Sequence, residues 1–295
     1  MPAVETVSAN SKDQQHTVAN VVSTTGVALH SGVRVKLTLK PAPVDHGIVF
    51  RRSDLSPPVD VPAKAELVKE TRLATTLVVD DAKVQTVEHF LAACVGCGLD
   101  NALVEIDNIE VPIMDGSSAP FVFLIEEAGL VAQASARKYI EVIAPIRVES
   151  GDKFAELLPS QQFQVDFTID FAHPAIPDEH CRVTMDLAPD AFLEHISRAR
   201  TFGFSFEADM LRAIGLAQGG SMENAVVLDE YKVLNREGLR FADELARHKV
   251  LDAVGDLFLL GYRVKAKYHA FKSGHDLNNK LCRALIASPD SWRWA

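Results

Sequence analysis

The amino-acid sequence predicts an α+β protein in which strands and helices recur in both halves of the chain. Period-two alternation at Val33, Val35, Leu37 and Leu39 is the mark of a half-buried strand. Val84, Val87, Phe90, Leu91 and Cys94 instead follow the spacing of one helix face. After residue 137 the pattern restarts, several strand-like runs again preceding a long apolar helix.

Taken in order, residues 1–16 read as a loose polar lead. Strands are expected at 18–22 and 33–39, separated by a turn of small residues at 25–32. A polar loop at 45–58 carries a short strand at 47–50, and further strands fall at 73–79 and 103–106. The first helix is expected at 84–95, ended by Gly96 and Gly98, and a second at 120–128, ended by Gly129. The small, polar run 132–137 is the expected boundary between a first domain, 1–136, and a second, 137–295. The second begins with strands at 140–148, 154–158, 164–169 and 181–187. Phe202, Phe204 and Phe206 alternate within 198–206, ahead of an amphipathic stretch at 208–214 and a flexible Gly219-Gly220. A buried strand is expected at 225–229. Residues 241–260 form the longest helix, about five turns, stopped by Gly261, and His275 precedes a short helix at 277–286.

Composition narrows the class of function. The chain has 295 residues, 47% of them hydrophobic and 24% charged, which is enough apolar material for a packed core. A formal charge of −10 argues against a nucleic-acid binder. The first 18 residues lack a basic region followed by an apolar one, and no uncharged apolar run reaches the ~18 residues of a spanning helix. A soluble, cytoplasmic protein is expected. Cys94, Cys97, Cys181 and Cys282 are too few for a disulfide framework, and the Cys94–Cys97 pair sits in an apolar helix with no second pair to complete a zinc knuckle. Reduced, buried thiols are expected there. His16, His46, His180 and His195 lie in polar surroundings and are expected at the surface.

Five residues make one chemical proposal. His248 and Asp252 are spaced i and i+4, which on a helix places both side chains on one face, roughly 5–6 Å apart at Cβ. An imidazole and a carboxylate so placed can hold two corners of a tetrahedral divalent cation, and His89 can supply a third, leaving one position open. Such a site suits catalysis better than structure. Each part has a bland alternative: His89 as a core histidine, His248 and Asp252 as an exposed helix pair. With a metal, however, every role of an amide hydrolysis has a candidate. Glu88 can take the proton of the attacking water and His275 can give one to the leaving group. Asp256 can keep that imidazole charged, and Lys249 can stabilise the oxyanion. Two other classes use similar donors. A non-haem iron oxygenase also takes two histidines and a carboxylate, and a structural metal would require a fourth protein ligand.

The chain also resembles a known family. The carrying segments are Thr25-Gly26-Val27-Ala28-Leu29-His30-Ser31-Gly32, Val87-Glu88-His89, Ile113-Met114-Asp115-Gly116-Ser117, Ile169-Asp170-Phe171 with Pro174-Ala175-Ile176, Arg200-Thr201-Phe202-Gly203-Phe204, Gly219-Gly220-Ser221, Arg247-His248-Lys249 through Asp252, and Gly274-His275. In this order they resemble the UDP-3-O-acyl-N-acetylglucosamine deacetylases, zinc amidases of lipid A synthesis. The resemblance runs from about residue 17 to the C-terminus.

It implies two similar α+β domains, each a sheet with helices, whose helical layers pack between the two sheets with the metal at their junction. It implies Zn2+ (Fe2+ is also accepted by such donors) on His89, His248 and Asp252. Glu88 is then the general base and His275 the general acid, tuned by Asp256. Lys249 lies near the substrate or oxyanion, and Thr201 steadies the tetrahedral intermediate. An insert at about 200–222 forms a hydrophobic passage for an acyl chain, with Phe171, Phe202, Phe204 and Gly220 on the substrate. The implied partner is a small molecule, an acylated UDP-glucosamine, and the expected state a monomer. Ala74 stands where many relatives carry a cysteine near the metal, so a role for that cysteine does not carry over. With the sequence ending at Ala295, no fused dehydratase domain is expected.

Overall fold

The computed structural model describes residues 13–295. Most of the polar lead, and most of the stretch in which no secretory signal is expected, lies outside the described residues. Six α-helices run among them: α1 (Glu88–Cys97), α2 (Ala119–Ala128), α3 (Pro189–His195), α4 (Ser205–Ala213), α5 (Glu244–Phe258) and α6 (His275–Ile286). None is long and apolar enough to cross a membrane.

A five-stranded sheet forms from the first half in the order Val22–Val27, Arg34–Pro41, Ala102–Ile106, Ile48–Arg52, Val59–Pro62, antiparallel except where Ile48–Arg52 pairs with Ala102–Ile106. A seven-stranded mixed sheet forms from the second half around Arg263–Phe271. That strand pairs antiparallel with Lys153–Pro159 on one side. On the other it runs parallel first to Tyr139–Val142 and then to Gln164–Thr168. α1 and α2 cover the first sheet, Phe90 packing edge-on against Phe50 and Phe121. α5 and α6 lie on the second sheet, and the two helical layers meet face to face, with the most extensive helix contact between α1 and α5. The α+β architecture with helices between two sheets is therefore the one expected.

The α1–α5 contact is unusually close because of one residue. A Cβ added at Gly255 would lie 2.0 Å from the Glu88 carbonyl oxygen, so only glycine allows the two backbones to approach this far. That approach brings Glu88 and His89 of one half up to His248 and Asp252 of the other.

Several elements depart from the sequence expectation. Val84 lies in the strand Ala82–Gln85, paired with Leu77, and α1 begins only at Glu88. The valines fit both periodicities, and Thr86, held at φ 60°, separates strand from helix. The expected linker is the strand Leu130–Ala136, paired antiparallel with Gln14–Val18, so part of the supposed loose lead is also ordered. Residues 19–21 form the turn between Gln14–Val18 and Val22–Val27, not a strand, and 140–148 divides into Tyr139–Val142 and Ile146–Ser150. His16, His46, His180 and His195 are all half-buried rather than fully at the surface, His16 with Nδ1 3.1 Å from an Arg137 guanidinium nitrogen.

Candidate active site

The N-terminus of α1 and the middle of α5 define the centre of the site. Glu88 and His89 open α1, while His248, Asp252 and Asp256 form an i, i+4, i+8 row along α5, and all five are buried. The exposed-pair reading of His248 and Asp252 therefore fails. Asp252 Oδ1 lies 3.4 Å from His89 Nε2 and 3.3 Å from His248 Nε2. The two imidazoles meet edge to face with centroids 4.9 Å apart. One donor atom from each of the three residues falls within 4.8 Å of the others.

The chemistry of these atoms fits a cation. His248 Nδ1 is 3.0 Å from the Ala199 carbonyl oxygen, which can only accept, so that nitrogen carries the proton and Nε2 presents a lone pair. This lone pair faces Asp252 Oδ1, a buried oxygen with no hydrogen-bond partner. Burial pushes the His248 imidazole down to about 3, which keeps it neutral and able to ligate. Burial works against an ionised Asp252, but the Lys249 ammonium bonded to it helps hold the carboxyl well below its usual range. Lys249 Nζ occupies the other oxygen, Oδ2, leaving Oδ1 for the shared point. A neutral imidazole and an ionised, half-satisfied carboxylate converging in a buried space are a donor set for a divalent cation.

Beside this point stand a carboxylate and an imidazole, both shifted toward their protonated forms. Burial raises Glu88 above the ordinary carboxylate range, against the pull of His275 and His89. Burial disfavours a charged His275, yet Asp256 and then Glu88 overcome it and raise the imidazole to about 9. His275 opens α6, where Nδ1 donates to Asp256 Oδ2 at 2.8 Å and Nε2 lies 3.7 Å from Glu88 Oε1.

A cleft of about 510 Å³ opens onto these groups, lined by Glu88, His89, His248, Lys249, Asp252 and His275 together with Thr201, Phe171, Phe202 and Phe204. The three aromatic rings form one wall, with Phe171 5.6 Å from Phe202 and 5.9 Å from Phe204. Phe202 also reaches the His248 ring at 6.3 Å. Beyond them α4 buries no side chain, and Phe206, Met210 and Ile214 at i, i+4 and i+8 are exposed, so this segment does not cap a core. Gly220 does not line the cleft. It sits on the turn behind Leu29, which does. Ala74 is buried one residue from that lining.

Sequence reasoning missed three residues here. Thr75 donates its hydroxyl to Asp256 Oδ1 at 2.6 Å and its backbone N–H to Glu88 Oε2 at 3.2 Å. Asn278 donates to Asp256 Oδ2 at 2.8 Å. Gly255 sets the helix separation. Asn278 lies one helical turn beyond His275, a spacing that could have been read. For Thr75 the one signal was its place beside Ala74, where many relatives carry a cysteine near the metal.

A buried two-histidine, one-carboxylate centre with a further carboxylate and imidazole beside it, at the end of an apolar-walled cleft, has the groups that a metal-assisted hydrolase uses. The comparisons with known proteins agree. Residues 15–287 match the model of the family described as UDP-3-O-acyl N-acetylglycosamine deacetylase. The UDP-3-O-acyl-N-acetylglucosamine deacetylase of Shewanella frigidimarina (strain NCIMB 400) is 54% identical over 279 residues, 94% of this chain and 91% of that one. Its namesake from Shewanella halifaxensis (strain HAW-EB4) is 55% identical over the same shares of the two chains. The one from Xanthomonas campestris pv. campestris (strain B100) is 53% identical over 281 residues, 95% of this chain and 93% of that one. The chain belongs to the UDP-3-O-acyl N-acetylglycosamine deacetylase family and is a deacetylase.

Proposed function

We propose that the chain removes acetate from the 2-acetamido group of a UDP-3-O-(3-hydroxyacyl)-N-acetylglucosamine, the step that commits this sugar to lipid A. In this reading it is a cytoplasmic monomer that binds zinc, although the same donors accept Fe(II). The observation that carries the proposal is the convergence of His89, His248 and Asp252 within 4.8 Å, beside Glu88 and His275. These three would hold the ion. When bound, it supplies Lewis-acid polarisation of the amide carbonyl and makes water acidic enough to ionise near neutral pH.

The protein's own groups do the rest. Glu88, with Oε2 tied to the Thr75 N–H and its pKa raised by burial, keeps Oε1 towards the cleft and takes a proton from the attacking water. Opposite it, His275 is held in its charged form by Asp256 and passes a proton to the amide nitrogen as the C–N bond breaks. Lys249 and Thr201 line the same cleft and stabilise the charge that develops on the carbonyl oxygen. The Phe171, Phe202 and Phe204 wall receives the 3-O-acyl chain, continuing along α4. Lys153 and Lys272 also line the cleft and suit the diphosphate of the nucleotide.

The test is acetate release from the acylated nucleotide sugar by the purified protein, with and without a chelator. Turnover is expected only with the metal, and Asp252→Ala is expected to lose metal and turnover while remaining folded. Full activity in an ion-free preparation, or unfolding on metal removal, would end this reading.

A further inference from the structure

We infer that Thr75 is a positioning residue that fixes the base side and the acid side of the cleft at once. The inference rests on the roles proposed above for Glu88 and His275. Thr75 is 1% exposed and precedes the strand Thr76–Val79. Its carbonyl oxygen accepts from the Thr86 N–H, which anchors the backbone to the segment leading into α1. Its two donors then diverge. The backbone N–H reaches Glu88 Oε2 at 3.2 Å, and the hydroxyl reaches Asp256 Oδ1 at 2.6 Å.

The consequence follows from counting donors and acceptors. The single hydroxyl proton is committed to Asp256 Oδ1. Asn278 occupies Oδ2 with its amide, and its own Oδ1 is held by Tyr268 and Ser273. The Asp256 carboxylate is thereby locked in plane with one acceptor position on Oδ2, 2.8 Å from His275 Nδ1. Nδ1 must donate there, which leaves Nε2 as the atom presented to the cleft and to Glu88, 3.7 Å away. Without the hydroxyl, the carboxylate is held through Oδ2 alone, by Asn278 and His275, and its plane is less tightly fixed. His275 then loses its fixed orientation, while the substrate wall, which Thr75 does not touch, is unchanged. The backbone N–H to Glu88 survives any side-chain change, so the two arms can be separated experimentally.

The test uses Thr75→Val, which keeps the shape and removes the hydroxyl, and Thr75→Ser, which keeps the hydroxyl. Thr75→Val is expected to lower kcat by roughly 10- to 100-fold, the usual cost of losing such an outer partner, with KM and bound metal unchanged. Thr75→Ser is expected to restore kcat to within about threefold of the parent. In 15N-histidine-labelled protein, the hydrogen-bonded Nδ1 proton of His275 is expected to shift or broaden in Thr75→Val alone. Should Thr75→Val fail to fold, Thr75→Ala is read in its place against Thr75→Ser.

Thr75→Val with parental kcat, or Thr75→Ser impaired as deeply as Thr75→Val, would overturn the inference. So would KM rising in step with the fall in kcat. Glu88→Gln and His275→Gln run alongside. If both stay active, the acid–base reading itself is wrong. If both are dead while Thr75→Val is fully active, only the role of Thr75 is lost.

Discussion

Gly255→Ala tests the claim that one missing Cβ builds the site. The added carbon would lie 2.0 Å from the Glu88 carbonyl oxygen, 2.7 Å from its carbon and 2.9 Å from its Cα, all backbone atoms that no rotamer change can move. Ordinary contact begins near 3.4 Å, so α1 and α5 must part by about 1.4 Å at this crossing. Alanine gains about 1 kcal/mol of helix propensity over glycine. Overpacking a buried contact costs about 1–3 kcal/mol or more. The clash wins, and the expected net loss is about 1–2 kcal/mol, a few degrees in Tm.

Function is expected to suffer far more than stability, because His89 moves with α1 and away from His248 and Asp252. A misplacement of about 1 Å is worth roughly 100-fold in rate. Metal affinity by chelator competition, acetate release and thermal unfolding measured together distinguish the two effects. If Gly255→Ala retains parental metal affinity and turnover with an unchanged Tm, the close approach of α1 and α5 is not what assembles the centre.

Two further outcomes follow from the same geometry. The pH dependence of kcat/KM is expected to be bell-shaped. Its acid limb appears as Glu88, raised by burial, gains a proton on falling pH; its alkaline limb appears as His275, raised to about 9, loses one on rising pH. A bound cation lowers both limbs by favouring the deprotonated forms. Glu88→Gln is expected to remove the acid limb and His275→Gln the alkaline one, and an unchanged profile in either variant refutes that assignment. Phe204→Gln is expected to raise KM roughly tenfold for a long-chain substrate, the loss of about half an aromatic burial, with little effect on a short-chain analogue. Equal effects on both substrates would point to general damage of the fold.

The parts of the site that follow helical spacing were legible in the chain. His248, Asp252 and Asp256 share one face of α5 whatever surrounds them, and Glu88 and His89 sit together by adjacency. The strand Arg263–Phe271 was also legible but passed over, since Val264, Ala266, Tyr268 and Ala270 alternate inward at period two. Val84 misled because valines at positions 84 and 87 satisfy a helix as well as a strand entering one. The run 132–136 misled because neither face is fully buried, Ala132, Ala134 and Ala136 being exposed and Gln133 and Ser135 half-buried. It is ordered by pairing with Gln14–Val18, more than 110 residues earlier in the chain.

The sequence by itself determined the residue types, the helix faces that carry them and the mixed α+β class, because these depend on local periodicity and side-chain chemistry. Tertiary structure alone decided that α1 and α5 touch at Gly255, that Asp252 Oδ1 is left without a hydrogen bond between two imidazoles, and that Thr75 reaches both Glu88 and Asp256. The physical reason is that each of these depends on a distance between segments remote in the chain. Such distances are set by packing two sheets around one pair of helical layers, and no local pattern encodes them.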